Sequence, residues 1–333
     1  MYTRKRFTGG LLAILAGLAT PLAAAGDFSD HPQVDTFINE MVERHQFDKA
    51  VLKELFTETR RRDDILEAIA RPAESKPWHQ YRPIFLTQSR IDGGVEFWQQ
   101  NEDILNRAAE TYGVDPAIMV AIIGVETRYG ANTGSYRVID ALSTLAFEYP
   151  PRSKFFRSEL EQLLILAREE DVDLREVKGS YAGAMGYGQF IPSSYRHYSV
   201  DFNGDGKRDL WHSLDDIIGS VANYFHRHGW SDGQPIASKV NGGKKLSADL
   251  VSKNSKPDRT VADLNGSGIT SEMSLPKNQP VALLALEQEQ GPEYWLTTNN
   301  FYVITRYNRS PLYSMAVYQL SEAIRDAYQK RQS

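Results

Sequence analysis

Apolar residues recur at spacings of three and four from about residue 34 to residue 113, which is the period of amphipathic helices. The pattern is clear in "VDTFINEMVERH", "DKAVLKELFTET" and "DDILEAIAR", and in the longer "GGVEFWQQNEDILNRAAETYG". Pro72 and Pro77 interrupt it, and Gly113 is a typical end for the longer helix. This part of the chain is therefore predicted to be a helical region.

The most apolar run is "AIMVAIIGV" (117–125), and it ends at Glu126. The pair Asp115–Pro116 predicts the start of a helix there, as an N-cap followed by a first-turn proline. No lysine or arginine lies three or four residues from Glu126, so no ion pair on the same helix face compensates its charge. Two interpretations follow. Glu126 is a solvated charge at a helix end, or desolvation and the negative helix end keep it protonated as a general acid.

A second candidate segment is "GSYAGAMGYGQFIPSSY" (179–195), which is unusually rich in glycine. Glycines at this density let the backbone approach a ligand closely, and Ser180 and Gln189 offer hydrogen bonds. The segment lacks the Gly-Lys-Ser/Thr ending of a phosphate loop, and no organic cofactor is predicted. A tight turn between packed helices is the alternative.

Residues 201–209, "DFNGDGKRD", resemble the first half of an EF-hand loop. Short oxygen-bearing side chains at alternate positions suit a hard cation, so the segment predicts a structural Ca²⁺ site. Its expected ligands are Asp201, Asn203, Asp205, the carbonyl of Lys207 and, in a longer loop, Asp215. His212 stands where a glutamate is usual, and an Asp/Asn/Gly-rich turn without metal is the alternative.

The rest of the chain predicts one more capped helix, a small β region and a final helix. Ser213 and Asp216 resemble a capping box at the start of "SLDDIIGSVANYFHRHG". The segment 231–279 is rich in Gly, Ser, Asn, Lys and Asp, and it predicts a loop-rich insertion with short strands. Strand-like runs follow in "PVALLALE" and "NFYVITRYN", and then the helix "PLYSMAVYQLSEAIRDAY".

The chain start has the composition of a secretory signal peptide. Three basic residues precede an apolar run and the small-residue ending "LAAAGD", so cleavage is predicted near Ala25. The chain of 333 residues has no cysteine, which excludes disulfides and lipid attachment through a cysteine. No later segment is long and apolar enough to span a membrane. Cleavage would shift the net charge from −5 to −8, which argues against nucleic acid as a partner.

Four motifs together, "GVETRYG", "GSYAGAMGYGQFIPSSY", "DFNGDGKRDLW" and "SVANYFHRHGW", resemble the membrane-bound lytic murein transglycosylase B family. The resemblance runs from about Val34 to the final helix. It implies a mainly α protein with a lysozyme-like core, periplasmic and soluble because the lipid-anchoring cysteine of some relatives is missing. The predicted division is a signal peptide (1–25), an N-terminal helical region (26–114), the catalytic core with the EF-hand-like loop (115–230), a small β insertion (231–279), and C-terminal strands and helix that pack back on the core (280–333).

The resemblance also implies the chemistry. Glu126 would be the single acid/base that cleaves the bond between N-acetylmuramic acid and N-acetylglucosamine in peptidoglycan, leaving 1,6-anhydro ends. Substrate contacts would come from Ser180, Gln189, Tyr81, Tyr224 and Tyr302, and Arg152 would meet the acidic peptide stems. A hydrolase would add a second carboxylate. Asp140 and Glu148 lie near Glu126 in sequence, but neither is in a glycine-rich setting, and a partner from elsewhere in the fold is also possible. A hydrolytic muramidase and a non-catalytic murein-binding protein remain alternatives, and the sequence identifies no particular cell-wall synthesis protein as a partner.

Overall fold

The computed structural model describes residues 27–70, 76–241, 246–272 and 274–332. The predicted signal peptide and Pro72 lie outside these ranges. The helices are α1 (Pro32–His45), α2 (Lys49–Thr57), α3 (Asp63–Ile69), α4 (Trp78–Phe85), α5 (Gln88–Gln100), α6 (Glu102–Tyr112), α7 (Pro116–Thr127), α8 (Val138–Glu148), α9 (Ser153–Glu170), α10 (Pro192–Tyr198), α11 (Leu214–Arg227), α12 (Val261–Gly266), α13 (Asn299–Tyr307) and α14 (Pro311–Gln332). The strands are β1 (Tyr136–Arg137), β2 (Lys178–Gly179), β3 (Ala237–Asn241), β4 (Arg259–Thr260), β5 (Thr270–Ser271), β6 (Pro280–Gln288) and β7 (Gly291–Thr297). The mainly α class is confirmed.

The segment predicted as one long helix before Gly113 is two helices, α5 and α6. The chain breaks at Asn101, which has φ −124° and ψ 24°. Its buried side-chain amide donates to the carbonyl of Phe97, 2.8 Å away, and this bond closes the last turn of α5. Asparagine competes for backbone partners in this way, which explains a break inside an unbroken apolar pattern. Gly113 ends α6 with a left-handed φ of 68°, as predicted.

The apolar run before Glu126 forms α7, the central helix of the core. Asp115 caps it by accepting the amide of Ala117 at 2.9 Å. Ten of its twelve residues are buried, because α5 and α6 pack on it from the N-terminal half of the chain and α11 and α14 from the C-terminal half. A helix covered on all sides has no need of a polar face, so its sequence shows almost no amphipathic pattern.

The β region is a five-stranded antiparallel sheet with strand order β4-β6-β7-β3-β5. Its strands come from both the predicted β insertion (231–279) and the predicted C-terminal segment (280–333). "PVALLALE" is strand β6 as predicted, but "NFYVITRYN" is helix α13, so that strand prediction was wrong. Thr298 caps α13 by accepting the amide of Asn300, and Phe301, Val303 and Ile304 are buried on it. β-branched and aromatic residues favour strands, and here tertiary burial overrides that preference.

Helix α14 returns the C-terminal end of the chain to the core, where it packs along α7, α5, α4 and α13. Among the described residues no single helix is long and apolar enough to cross a membrane, and one bent pair, α6 with α7, passes that test by length and composition alone.

Candidate active site

Glu126 lies at the C-terminal end of α7, where the chain turns sharply. Arg128 and Tyr129 both have left-handed φ values, 51° and 60°, and Gly130 follows with φ 89°. Only glycine adopts this region without strain, so two non-glycine residues here mark a turn held by its surroundings. Glu126 is half-buried, between the buried Val125 and Thr127. The turn therefore brings a carboxylate to the edge of an apolar core.

The side chain of Arg90 on α5 connects the C-terminal end of α7 to the end of α4. Its Nε donates to the carbonyl of Gly124 at 3.0 Å, and its Nη1 donates to the carbonyl of Ile84 at 2.6 Å. The Tyr129 hydroxyl donates to the carbonyl of Arg90 at 2.7 Å. Burial, with repulsion from Arg128, lowers the pKa of Arg90. A buried cation at the negative end of α7 stabilises the turn that carries Glu126.

Tyr313 on α14 forms a hydrogen bond with Glu126. Its hydroxyl donates to Glu126 Oε1 across 2.5 Å, and the ring is 3 % exposed. Burial raises the pKa of Tyr313 well above its ordinary value, and the charge of Glu126 raises it further. The tyrosine therefore stays protonated and keeps one carboxylate oxygen in a fixed position.

The glycine-rich segment packs directly against this helix end. The hydroxyl of Thr127 donates to the carbonyl of Tyr187 at 3.0 Å, and a Cβ on Gly130 would collide with the Tyr187 ring. The Tyr307 hydroxyl donates to the carbonyl of Gly188 at 2.5 Å. Tyr307 is half-buried, and its pKa is raised well above the ordinary value by desolvation first and then by the charge of Glu126. The structure thus brings Glu126 and the glycine-rich segment together.

Ser180 and Gln189 lie at the two ends of the part of this segment that is nearest the turn. The Ser180 hydroxyl accepts the amide of Ala184 at 3.0 Å. The Gln189 side-chain amide donates to the carbonyls of Thr133 and Gly186 at 3.1 Å and 3.0 Å. Both residues are half-exposed. Within the described residues the Ser180 hydroxyl proton and the Gln189 side-chain carbonyl oxygen form no hydrogen bond, so both can bind a ligand.

The predicted groove tyrosines differ in their surroundings. Tyr81 on α4 is 2 % exposed, stacks on Trp78 and lies close enough to Tyr313 to raise its pKa. Tyr224 on α11 is 7 % exposed, and its hydroxyl donates to the carbonyl of Arg306 at 2.5 Å. Tyr302 on α13 is half-exposed under Arg306.

Arg152 stands on the surface in the short turn before α9. Its guanidinium group lies 4.5 Å from the ring centre of Phe155 and 5.0 Å from that of Phe156. No ion pair to Arg152 occurs within the described residues, so its charge is open to a ligand.

The EF-hand-like loop is folded around the carboxylate of Asp201. Its oxygens accept the backbone amides of residues 204, 205 and 206 at 2.7–3.1 Å, an arrangement that matches the first position of a calcium loop. Gly206, with φ 88°, makes the sharp turn that this loop requires. Asn203 Nδ2 donates to Asp205 Oδ2 at 3.0 Å. The residues present therefore fit a hard cation.

Two further acidic residues tie this loop to its surroundings. Asp215, predicted as the closing ligand, forms an ion pair with Arg107 through Oδ1. Asp216 is fully buried and accepts the amides of Phe202 and Asp209 at 2.8 Å and 2.9 Å. Ser213 caps α11 by accepting the amide of Asp216, but the Asp216 carboxylate holds the loop instead of completing a capping box. In the described part of the chain no three His, Cys, Asp or Glu side chains converge as metal ligands.

Asp140 and Glu148, the two carboxylates considered in the sequence as a second acid, both have structural partners. Asp140 is 3 % exposed, pairs with Arg137 and accepts the amide of Arg60 at 2.9 Å. Glu148 pairs with His31 and Arg61. Neither is free to act as a nucleophile or as the base for water.

Sequence reasoning missed Tyr313, Tyr307 and Arg90. Tyr313 lies 187 positions from Glu126, and it is one of 17 tyrosines in the chain. No local pattern distinguishes it from the core tyrosines of the same helix, since the contact exists only after α14 has packed on α7.

Comparison with known proteins defines the class. The family described as "Transglycosylase SLT domain" matches residues 29–322. The chain belongs to this family, which confirms the resemblance found in the sequence and the lysozyme-like fold, and makes it a lytic transglycosylase.

Individual relatives are similar over nearly the whole chain. The membrane-bound lytic murein transglycosylase B of Escherichia coli (strain K12) is 45 % identical over 309 residues, which cover 90 % of this chain and 84 % of the relative. The catenated lytic transglycosylase SltB1 of Pseudomonas aeruginosa is 48 % identical with a TM-score of 0.86, covering 91 % of this chain and 100 % of that one. The Escherichia coli lytic transglycosylase Slt35, solved in complex with calcium, is 45 % identical with a TM-score of 0.84, covering 91 % of this chain and 96 % of that one.

Proposed function

We propose that this transglycosylase cleaves the β-1,4 bond between N-acetylmuramic acid and N-acetylglucosamine in peptidoglycan and leaves a 1,6-anhydro end, with Glu126 as its single acid/base. The observation that carries this proposal is the pair of Glu126 and Tyr313 at the edge of the glycine-rich segment. The relatives named above support the substrate class, since the Escherichia coli protein is called a murein transglycosylase.

The proposed reaction uses no water. Protonated Glu126 gives its proton to the glycosidic oxygen, and the bond from that oxygen to the muramic acid C1 breaks. The 6-hydroxyl of the same sugar attacks C1, and the Glu126 carboxylate takes the hydroxyl proton. Because the nucleophile belongs to the substrate, its proximity replaces a second carboxylate. Asp140 and Glu148 already have structural partners, which supports a mechanism without a second catalytic carboxylate.

The substrate contacts remain proposals on the same basis. Ser180 and Gln189 are proposed to bind the sugars beside the cleaved bond, because each keeps one hydrogen-bonding group available. Tyr81 and Tyr302 are proposed as groove walls. Tyr224 is proposed to contribute only its ring to the groove wall, since its hydroxyl already donates to the carbonyl of Arg306. Arg152 is proposed to meet an acidic peptide stem at the surface.

The EF-hand-like loop is proposed to bind Ca²⁺ in a structural role. Asp201, Asn203, Asp205, the Lys207 carbonyl and the free oxygen of Asp215 would supply the ligands, and the calcium complex of Slt35 supports this choice of ion. The ion would hold the loop that leads into α11. We further propose that the protein is exported to the periplasm, where the peptidoglycan lies, and that its signal peptide is cleaved near Ala25.

Product analysis tests the reaction. Digestion of purified peptidoglycan should give muramic acid ends lighter by one water than hydrolytic ends, which mass spectrometry resolves. Glu126→Gln keeps the shape and removes the proton donor, so activity should fall by at least about 10³-fold with the Tm nearly unchanged. The exposed Glu110→Gln is the matched control and should behave as the wild type.

The outcomes separate the alternatives. Reducing muramic acid ends alone would identify a hydrolytic muramidase. Binding of peptidoglycan without any cleavage would identify a non-catalytic binding protein. Unchanged cleavage by Glu126→Gln would contradict the role of Glu126.

A further inference from the structure

A cavity of about 500 Å³ opens beside the proposed active site, and we name it the lateral pocket. It lies between the C-terminal end of α9, strand β2 and the EF-hand-like loop. Its wall includes Asp171, Glu176, Lys178, Lys207 and Trp211. Its size is that of a pocket for a small organic ligand or a few peptide residues.

The lateral pocket is adjacent to the two residues proposed to bind the sugars, Ser180 and Gln189. Thr133 lines it, and the carbonyl of Thr133 accepts the side-chain amide of Gln189 at 3.1 Å. Lys178 lines it as well and directly precedes Gly179 and Ser180. A substituent on a sugar bound at Ser180 and Gln189 therefore has a short path into the lateral pocket.

The rim of the lateral pocket carries charges of both signs that are not engaged in ion pairs within the described residues. Lys178, Lys207, Asp171 and Glu176 are exposed and form no ion pair within the described residues. By contrast, Glu170 pairs with Arg208, and Asp209 with His212. A ligand with both carboxylate and ammonium groups would find a partner for each.

Trp211 supplies an unused donor in the same wall. Its ring lies 5.4 Å from that of Tyr195, and its indole Nε1 is buried without a hydrogen-bond partner among the described residues. A buried donor without a partner is destabilising, so it favours any ligand that brings an acceptor. Peptide carbonyls are acceptors of this kind.

From these observations we propose that the lateral pocket binds the peptide stem of the muramic acid residue at the cleavage site. This inference rests on the proposed function, and it adds a specificity site for the peptide part of the substrate. Lys178 and Lys207 bind stem carboxylates, Asp171 and Glu176 bind a stem ammonium group, and the Trp211 indole donates to a peptide carbonyl.

Arg152 and the lateral pocket must serve different stems. They lie at opposite ends of α9, whose 18 residues span about 27 Å. A stem of five residues reaches at most about 17 Å when fully extended. One stem therefore cannot contact both.

The first test compares glycan strands of equal length with and without their stems. Lys178→Met keeps the alkyl chain and removes the charge, and it should lower kcat/KM about tenfold on stem-bearing strands. It should leave kcat/KM on stripped strands unchanged. The exposed Lys253→Met, in the β region, is the matched control and should leave both values unchanged.

An equal loss on both substrates, or no loss on either, would overturn the proposal. Failure of the proposed function is distinguishable, because the wild type would then cleave neither substrate or would leave only reducing muramic acid ends on the products.

A second test reports binding without catalysis. The chain has five tryptophans, and the indole N–H signal of Trp211 is assigned in an NMR spectrum by its absence in Trp211→Phe. Free stem peptide added to the full chain should shift that signal, and Lys178→Met should need about tenfold more peptide for the same shift. An unmoved signal at peptide concentrations that saturate a millimolar site would overturn the proposal.

Discussion

At the scale of single residues, Tyr313 and Glu126 form a pair in which each side chain fixes the other. The hydroxyl donates to one carboxylate oxygen at 2.5 Å, which fixes the orientation of the carboxylate. A donor to a carboxylate favours the ionised form, while burial favours the neutral form. The pair thus holds the carboxyl group in position, and the hydrogen bond and the burial act on its protonation in opposite directions.

Tyr313→Phe should separate the effect of Tyr313 on the position of Glu126 from its effect on the ionisation of Glu126. Loss of the donor removes a bond that favours ionised Glu126, so the alkaline limb of the pH–rate profile should move to higher pH. Looser positioning should lower kcat by about tenfold, as expected for a hydrogen bond to a charged group. Tyr328→Phe is the matched control, because Tyr328 is buried on the same helix and donates to Glu102 at 2.7 Å. A kcat loss with an unmoved alkaline limb would contradict the proposed effect on ionisation.

At the scale of elements, the junction of α9 and α10 fixes the C-terminal end of the glycine-rich segment. Glu159 on α9 is 4 % exposed and accepts the Ser193 amide at 2.9 Å and the Ser193 hydroxyl at 2.8 Å. This carboxylate therefore caps α10 from a neighbouring helix. Burial raises the pKa of Glu159, and its bonds to Ser193 oppose that rise.

The raised pKa has a definite consequence for stability. A carboxyl group whose pKa is higher in the folded state contributes stability below its unfolded pKa, and that contribution is lost as the pH rises through the folded pKa. Glu159→Gln can keep both bonds to Ser193 and has no charge to bury. The Tm of Glu159→Gln minus the Tm of the wild type should therefore increase as the pH rises from below 4.5, the ordinary pKa of glutamate, to 7.

Glu169→Gln on the same helix provides the contrast. The hydrogen bond and charge of Arg196 lower the pKa of Glu169, so its contribution to stability is present above the unfolded pKa and lost as the pH falls. That variant should lose stability relative to the wild type over the same rise in pH. Parallel Tm curves for Glu159→Gln and the wild type would contradict the role given to burial.

At the scale of the whole molecule, the site joins distant parts of the chain. α7 supplies Glu126, residues 179–190 supply the glycine-rich wall, and α14 supplies Tyr313. The EF-hand-like loop contributes through the carbonyl of Leu210, which accepts the amide of Tyr187 at 3.1 Å. A loop that positions Tyr187 also positions the residue that bonds to Thr127, next to Glu126.

Calcium should therefore stabilise the whole fold. The Tm should be higher with millimolar Ca²⁺ than with a chelator, because an ion that binds only the folded state shifts unfolding by mass action. Asp201→Asn weakens the ligand that organises the loop and should remove this difference. The exposed Asp326→Asn should keep it, and a Tm that ignores both Ca²⁺ and chelator would count against the site.

The sequence by itself determined the helical class, the family, the candidate Glu126 and the loop around Asp201. These features are local: helical periodicity, a cap at Asp115 and motifs in which backbone spacing sets the chemistry. The strand predicted for residues 300–308 and the single long helix before Gly113 were wrong, because burial and a side-chain bond at Asn101 outweighed local preference.

Only the tertiary structure decided which groups meet Glu126. Tyr313 and Arg90 approach it from helices far away in sequence, and the lateral pocket exists only where α9, β2 and the loop come together. Packing joins these elements through long-range contacts, and no spacing along the chain encodes such contacts. The sequence thus determined which carboxyl group is the candidate acid, and the fold decided what surrounds it.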